Sequence, residues 1–275
     1  MIGTSLPNAG WSEQDLLCFF FVFLRISMVL VFAPLFGDRN MPLSVKILFS
    51  VTISVIVFGV LNQSDYFTAE RIEKRLSTTS GLILFILQEG TIGAMIGYLS
   101  EWLFHSVQFG ANFAAMNMGY SMATVLDPHT ETQAVAAAQF HSTLAMLLFI
   151  AVDGHHVVLQ AIAQSFHIID WDLFELGKQQ SVVNLFIDVG SQVLILGVKL
   201  SAPIFIITTI VNLIFGVMAK AVPQLNVMAI SFAANIFVGL FVLIVATPGF
   251  LNMVSTQIDA YPRLLFDWMT IIANK

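Results

Sequence analysis

Long apolar runs separated by short polar stretches dominate this chain, and each run is close to the length that a lipid bilayer requires. Because lipid offers the backbone no hydrogen-bond partners, a segment that crosses the hydrocarbon core must be helical. Such a helix needs about 20 apolar residues. Six regions satisfy or nearly satisfy this condition, at residues 16–36, 43–62, 81–104, 138–163, 182–217 and 226–251. The sequence therefore predicts an all-α integral membrane protein.

Composition supports this class and excludes others. Hydrophobic residues make up 57% of the 275 residues and charged residues only 10%, whereas a soluble domain carries about 25% charged residues. The net charge of -6 argues against nucleic acid as a partner, because phosphate binding needs a basic face. Cys18 is the single cysteine and is expected to be a small buried side chain. The N-terminal stretch lacks a basic region, so we expect the first apolar run to be kept as a helix rather than cleaved as a signal peptide.

Two short connectors predict helical hairpins. Residues 37–42 join the first two apolar runs and residues 219–225 join the last two. Pro42 and Pro223 lie in these connectors, where proline suits a break at a helix end.

Two regions do not fit a plain bundle of six spans. Region 182–217 is far longer than a bilayer requires and carries Lys199 and Pro203 near its middle, while region 105–137 is almost uncharged yet rich in small and amide residues. A helix that outruns the bilayer must tilt, break or pack against protein, and small and amide side chains suit contacts between helices. We therefore expect a single membrane-embedded domain, residues 1–275, buried largely inside a bigger assembly.

Four of the ionisable residues inside the predicted spans are candidates for a functional role, because a charge is costly there. They are Arg25, Glu89, Asp153 and Lys199. Arg25 or Lys199 can pair with Glu89 or Asp153. We favour such structural pairing over the alternative, a proton relay.

The "DGHH" motif at residues 153–156 raises the question of a metal site. Helical zinc sites place two histidines at positions i and i+4, whereas adjacent side chains point about 100° apart on a helix. We therefore expect no metal at Asp153, His155 and His156, and interpret Asp153-Gly154 as a helix end with the histidines at an interface. The sequence contains no glycine-rich phosphate loop and no nucleophile or zinc-protease motif. It predicts no cofactor and no enzymatic activity.

The stretch "AAMNMGYSMATVLDPHTETQ", residues 114–133, is too polar for an ordinary span and too apolar for an exposed loop. Gly119 can interrupt a helix, and Asp127 and Pro128 suit the N-cap and the first position of the next one. Residues 119–127 are thus expected to be non-helical, which at membrane depth is tolerated only within protein or beside a water-filled cavity. The methionines either form a deformable constriction that gates a pore or simply fill an irregular helix junction.

Four blocks in the same order resemble the FliR/SctT family of type III export-apparatus proteins. The segment "NMGYSMATVLDP" (117–128) is similar to the family's "QMGLSFATFVDP" type of motif. The other blocks are "FLRISMVLVFAPLFGDRNMP" (23–42), "FIAVDGHHVVLQAIAQSF" (149–166) and "APIFIITTIVNLIFGVMAKAVPQLNV" (202–227). In the third block, Asp153 stands where the family pattern has asparagine.

The resemblance implies a subunit of a helical, cone-shaped export gate in the bacterial inner membrane, much of it toward the periplasm. Unfolded proteins pass through such a gate. The resemblance implies that FliP-like and FliQ-like subunits form the gate together with this chain, and that FlhB-like and FlhA-like export proteins are further partners. Residues 1–180 would be a FliP-like part and residues 181–275 a FliQ-like hairpin with its tail. We lean toward the flagellar system at the basal body rather than the virulence system.

The resemblance also implies a plug that closes the resting gate. The plug segment comprises Met116, Met118, Gly119, Tyr120, Ser121, Met122, Ala123, Thr124, Val125, Leu126, Asp127 and Pro128. Met122 and Val125 occupy positions where the family often has phenylalanine, so the expected stopper is softer and less aromatic. Met118, Met122, Val125 and Leu126 would supply its apolar surface.

Topology is the one point on which charge and resemblance disagree. The distribution of lysine and arginine favours a cytoplasmic N-terminus, whereas the family places the turn at residues 223–225 in the cytoplasm and the N-terminus outside. We follow the family, because a subunit buried in protein escapes the assumptions of the charge rule and loop 63–80 is charge-balanced. The residues expected to contact a partner at this turn are Lys220, Pro223 and Gln224.

Two other classes of protein compete with the gate. A small-solute transporter would share the six spans but would place polar substrate ligands at its broken helices, whereas the broken segment here carries methionines. An intramembrane enzyme would use the cluster of Asp153, His155 and His156.

Overall fold

The computed structural model describes residues 12–37, 41–63, 78–119, 131–169, 179–222, 224 and 226–273. All regular structure among these residues is α-helical, which confirms the predicted fold class. The helices are α1 (Glu13–Phe32), α2 (Leu43–Gln63), α3 (Thr79–Asn117), α4 (Glu131–Ala151), α5 (Gly154–Ile168), α6 (Gln179–Ala221) and α7 (Val227–Ala273).

Five of these helices, α1, α2, α3, α6 and α7, are long and apolar enough to cross a membrane. Helices α4 and α5 are long and apolar enough to cross a membrane only as a pair. The pair is bent by 69° at the break between Ala151 and Gly154. The described residues thus hold five or six candidate spans, depending on whether the bent pair is one span.

Two helices extend well past the predicted spans. The third span was expected to end near residue 104, but α3 continues to Asn117, and the sixth was expected to end near residue 251, but α7 continues to Ala273. Helix α7 contains Pro248 and Pro262 in its interior. In soluble proteins such prolines break a helix, but membrane helices tolerate them because neighbouring groups satisfy the freed carbonyls.

The chain forms two compact units. Unit 1 comprises Met1–Tyr98 and Ile162–Phe174, and unit 2 comprises Leu99–Ala161 and Glu175–Lys275. Both α3 and α5 contribute to the two units. The expected division at residue 180 into FliP-like and FliQ-like parts stays a prediction.

Unit 1 is built on the hairpin of α1 and α2. Helix α1 begins at a capping box, in which the Asp15 backbone N–H donates to the Ser12 hydroxyl and the Ser12 backbone N–H donates to the Asp15 carboxylate. Such reciprocal bonds satisfy two backbone groups that a helix start otherwise leaves unpaired. The ring of Phe58 on α2 meets Phe19 on α1 edge to face at 5.9 Å, so aromatic contacts hold the hairpin closed.

Two glycines bring α3 very close to α1. A Cβ atom on Gly93 would lie 2.5 Å from the carbonyl oxygen of Arg25, and one on Gly97 would lie 2.7 Å from that of Val29. These positions are the G-x-x-x-G pair in "GTIGAMIG", a spacing that puts both glycines on one helix face. The two helices therefore touch backbone to backbone, and the side chains one turn away are forced together.

This close approach predicts that adding one methyl group at Gly93 lowers the stability of the folded chain. We expect Gly93→Ala to destabilise the chain by about 1–3 kcal/mol, because the new Cβ overlaps backbone atoms that cannot rotate away. Gly90→Ala is the matched control on the same helix, since a Cβ there meets nothing within 4 Å. The measurement is the melting temperature of the detergent-solubilised protein. Equal melting temperatures for the two variants would contradict the close packing.

Unit 2 is centred on the hairpin of α6 and α7. The Asn235 side chain on α7 donates to the Asn212 side-chain oxygen on α6 at 2.6 Å, an interhelical amide contact of the kind that stabilises membrane helix pairs. The second half of α3 crosses α6 where Gly110 faces Gly197, since a Cβ on Gly110 would lie 2.5 Å from the Gly197 carbonyl oxygen.

Candidate functional site

The most buried charge of unit 1 is Arg25, whose side chain is fully inaccessible. Its Nε donates to Glu89 Oε2 at 2.5 Å and its Nη2 donates to Glu89 Oε1 at 2.8 Å. This bidentate geometry is the strong form of an arginine–carboxylate pair, because the planar guanidinium and the planar carboxylate are complementary in shape. The interaction joins α1 to α3 just before the Gly93 contact.

Two further groups complete the surroundings of the guanidinium. The Ser165 hydroxyl on α5 lies 3.4 Å from Nη1, and the ring centre of Phe166 lies 4.2 Å from Cζ. A guanidinium over an aromatic face is attracted by the negative charge of the ring face. The charge therefore meets a carboxylate, a hydroxyl and an aromatic face, which compensates for its removal from water.

The other two candidate charges do not join this pair. Asp153 is exposed, and Lys199 lies on α6 in unit 2, where no acidic group among the described residues comes within ion-pair distance. Lys199 lines a cavity of about 260 Å³ together with His141, Pro203 and Phe250. Because Pro203 has no N–H, it also leaves the Lys199 carbonyl without its helical bond. The cavity thus places one cation among largely apolar walls.

The motif at residues 153–156 forms the expected helix end, but its two imidazole rings lie closer together than expected. Helix α4 ends at Ala151, Asp153 adopts a left-handed conformation with φ of 58°, and α5 begins at Gly154. The imidazole rings of His155 and His156 do not diverge: their centres lie 4.2 Å apart. The divergence of about 100° applies to the Cα–Cβ bonds of adjacent helical residues, and rotation about the side-chain bonds offsets it here.

These three side chains bring their donor atoms together. One ligand atom from each of Asp153, His155 and His156 lies within 4.8 Å of the other two, and Asp153 Oδ1 lies 3.4 Å from His156 Nδ1. The expectation of two imidazoles pointing apart was therefore wrong as a description of the geometry.

The plug segment begins at the end of α3. Met116 is 55% exposed, whereas Met118 is fully buried, and Gly119 has φ of 91°. Glycine adopts a φ this positive without steric strain, so it suits the point at which the chain leaves the helix. Residues 120–128, which include most of the plug segment, lie outside the described residues.

Met118 does not face an open space. Its side chain packs with Ala114, Ala115, Ile204 and Leu243 in one apolar cluster. Helix α7 accommodates it through Gly239, where a Cβ would lie 2.5 Å from Met118 Cγ. Met118 is thus buried inside unit 2 at the start of the plug segment, and its expected part in the stopper surface stays a prediction.

The residues that match a known family include all of these features. The family of bacterial export proteins, family 1, matches residues 16–261. The chain belongs to this family. The match spans every helix of the export protein, from α1 to Tyr261 within α7, and confirms the resemblance to the FliR/SctT family.

Curated relatives share most of the length of this export protein. The flagellar biosynthetic protein FliR of Bacillus subtilis (strain 168) is 31% identical over 228 residues, which are 82% of this chain and 85% of the relative. The protein of that name from Escherichia coli (strain K12) is 24% identical over 234 residues, 84% of each chain. That from Aquifex aeolicus (strain VF5) is 21% identical over 240 residues, 86% of this chain and 88% of the relative.

The turn between α6 and α7 of the export protein carries the predicted partner-contact residues. Lys220 is exposed in the last turn of α6 and Gln224 is exposed in the turn, while Pro223 lies outside the described residues. The Asn226 side chain accepts from the backbone N–H of Ala229 at 3.3 Å, which caps the start of α7. Their expected contact with a partner stays a prediction.

Sequence reasoning missed the residues that attach the end of α7 in this export protein. The Tyr261 hydroxyl donates to the Ser100 carbonyl at 2.9 Å, and the Trp268 ring meets Trp102 edge to face at 5.6 Å. The signal was present in the tail, because apolar residues recur there every three or four positions. The buried apolar residues of this part of α7 are Val254, Ile258, Tyr261, Leu265, Trp268, Met269 and Ile272. Such spacing predicts a helix with one buried face.

Proposed function

We propose that the chain is a subunit of the flagellar export gate in the bacterial inner membrane. In this role it helps unfolded flagellar proteins cross the membrane through a central pore, and it catalyses no reaction. The observation that carries the proposal is the end of α3, where Met118 is locked into unit 2 and Gly119 turns the chain out of the helix. The plug motif of the family begins at this point, and the curated relatives are named flagellar biosynthetic proteins.

The anchor at Met118 suits a plug because a closing element needs one fixed end. A constriction made of apolar residues closes a pore by occlusion or by excluding water. Residues 119–126 would form the part that moves, with Met122, Val125 and Leu126 as its apolar surface. The virulence export gate would use the same arrangement, and the flagellar names of the relatives favour the flagellar system.

Exposed apolar surface supports a place inside a larger membrane assembly. On α7, Phe237 is 77% exposed and Ile244 is 70% exposed. Apolar faces of this kind are stable only against lipid or against other apolar helices. We propose that FliP-like and FliQ-like subunits cover part of this surface, with FlhB-like and FlhA-like export proteins nearby. The α6–α7 turn would face the cytoplasm, and much of the assembly would lie toward the periplasm.

Co-purification tests this assignment, and Lys220→Glu sharpens it. We expect FliP-like and FliQ-like proteins to purify with the tagged chain after gentle detergent extraction. Lys220→Glu is expected to lower their yield and the secretion of flagellar proteins, because the reversed charge would repel acidic groups on a FliQ-like neighbour.

Arg263→Glu is the matched control, because it reverses another exposed cation of unit 2 far along α7. We expect it to leave the partner yield unchanged. Purification of the chain without such partners would refute the gate assignment and favour a lone transporter. Normal assembly and secretion with Lys220→Glu would refute the contact at the turn alone.

A further inference from the structure

The break between α4 and α5 gathers three metal-binding side chains that the proposed gate function does not use. We propose that Asp153, His155 and His156 form a binding site for a first-row divalent cation such as Zn²⁺, Ni²⁺ or Co²⁺. The site lies entirely within unit 2, and its residues follow one another along the chain.

The donor set selects this class of ion. Two imidazole nitrogens and one carboxylate oxygen suit cations of intermediate softness, and zinc accepts the same three ligand types with water in an open position. Mg²⁺ and Ca²⁺ prefer shells made of oxygen, so they match this set poorly. Asp153 and His156 have 72% and 61% of their side-chain surface exposed, which gives an ion direct access.

The distances require only small side-chain rotations. Metal–ligand bonds of about 2.0–2.1 Å in a tetrahedral site place neighbouring donor atoms about 3.3 Å apart. The 3.4 Å separation of Asp153 Oδ1 and His156 Nδ1 already fits this geometry. The largest separation among the three donors is within 4.8 Å, so the third ligand needs to close by roughly 1.5 Å.

One polar atom beside the cluster favours an occupant at this position. The Nδ1 atom of His155 is buried and has no hydrogen-bond partner among the described residues. A buried polar atom without a partner is destabilising, and coordination to a cation or to its bound water would remove that cost. The Asp153 carboxylate, at a residue with φ of 58°, lies beside the two histidines that open α5.

The carboxylate makes the site a property of this chain rather than of the family pattern. That pattern has asparagine at the position of Asp153, and a neutral amide is a much weaker ligand for these cations than a carboxylate. A bound ion would link the residue after α4 to the first turn of α5. It would therefore hold the 69° bend between the two helices.

The test measures Zn²⁺ binding to the full-length chain in the complex in which it purifies, after removal of metals with a chelator. We expect one Zn²⁺ per chain that is lost, or weakened by about tenfold or more, in Asp153→Asn and in His156→Ala. Asp153→Asn introduces the asparagine that the family pattern has at this position, so the variant should fold normally. His167→Ala, a change at an exposed histidine of the same helix α5, should bind as the unchanged protein does, and Mg²⁺ should not compete.

A second measurement needs no variant. Zn²⁺ should protect His155 and His156 from a histidine-modifying reagent, as read by mass spectrometry, while His167 remains reactive. The proposal is overturned if Zn²⁺ does not bind. It is also overturned if binding is the same in Asp153→Asn and His156→Ala, if His167→Ala weakens it equally, or if Zn²⁺ gives no selective protection.

Discussion

Replacing Glu89 by methionine is expected to destabilise the chain by about 3–5 kcal/mol, because it leaves the guanidinium of Arg25 buried and unpaired. Arginine cannot release its proton within a protein, so the charge persists. Arg25→Met should be milder, because carboxylic acids, unlike guanidinium groups, have a neutral form available in apolar surroundings. The measurements are the amount of protein in the membrane and the melting temperature in detergent.

The double variant Arg25→Met with Glu89→Met is the decisive comparison. Replacing both members of a buried pair by apolar side chains of similar volume is often neutral or stabilising, so we expect recovery toward the unchanged protein. A double variant that retains stability but loses secretion would point to the alternative, a proton relay. If both single variants were as stable as the unchanged protein, the pair would have no structural role.

Deletion of residues 119–126 is expected to make the inner membrane leak ions and small solutes while the complex still assembles. The physical reason is that an open pore without its apolar constriction holds a continuous column of water. The measurement is ion or dye permeability of cells that produce the variant, with co-purification of partners as the check on assembly.

Two controls separate sealing from folding. Replacing residues 119–126 by a glycine–serine stretch of equal length keeps the connection between α3 and α4 but removes the apolar side chains, so it should leak as well. Replacing Met122 and Val125 by phenylalanine restores residues that the family often has, and it should keep the membrane tight. An inner membrane that stays impermeable to ions and dye in the deletion strain would contradict the plug hypothesis.

The existence of the helices and several of their ends could be predicted from local sequence, whereas the full extent of α7 could not. Apolar composition and length decide whether a segment is stable in lipid, and these are readable residue by residue. The extension of α7 to Ala273 depends on what packs against it. Met118 fits because Gly239 makes room on another helix, and the tail of α7 persists because Tyr261 and Trp268 find partners on α3.

The candidate sites divide in the same way. Gly119 was recognisable from sequence as a break, because glycine alone tolerates a positive φ without strain. The burial of Met118 was not, since its neighbours come from α6 and α7. The convergence of His155 and His156 was also missed, because side-chain rotation rather than helical spacing brings their rings together.

Sequence alone was sufficient for the class of this protein, because hydropathy, helix length and the order of short motifs are local properties that survive any change of packing. It was also sufficient to name Arg25, Glu89 and Lys199 as charges in apolar surroundings. Only the tertiary structure decided that Arg25 forms an ion pair with Glu89 and that Lys199 pairs with neither Glu89 nor Asp153. The reason is that ion pairing requires contact within a few ångströms, and the glycine-mediated approach of α1 and α3 provides that contact for one cation only.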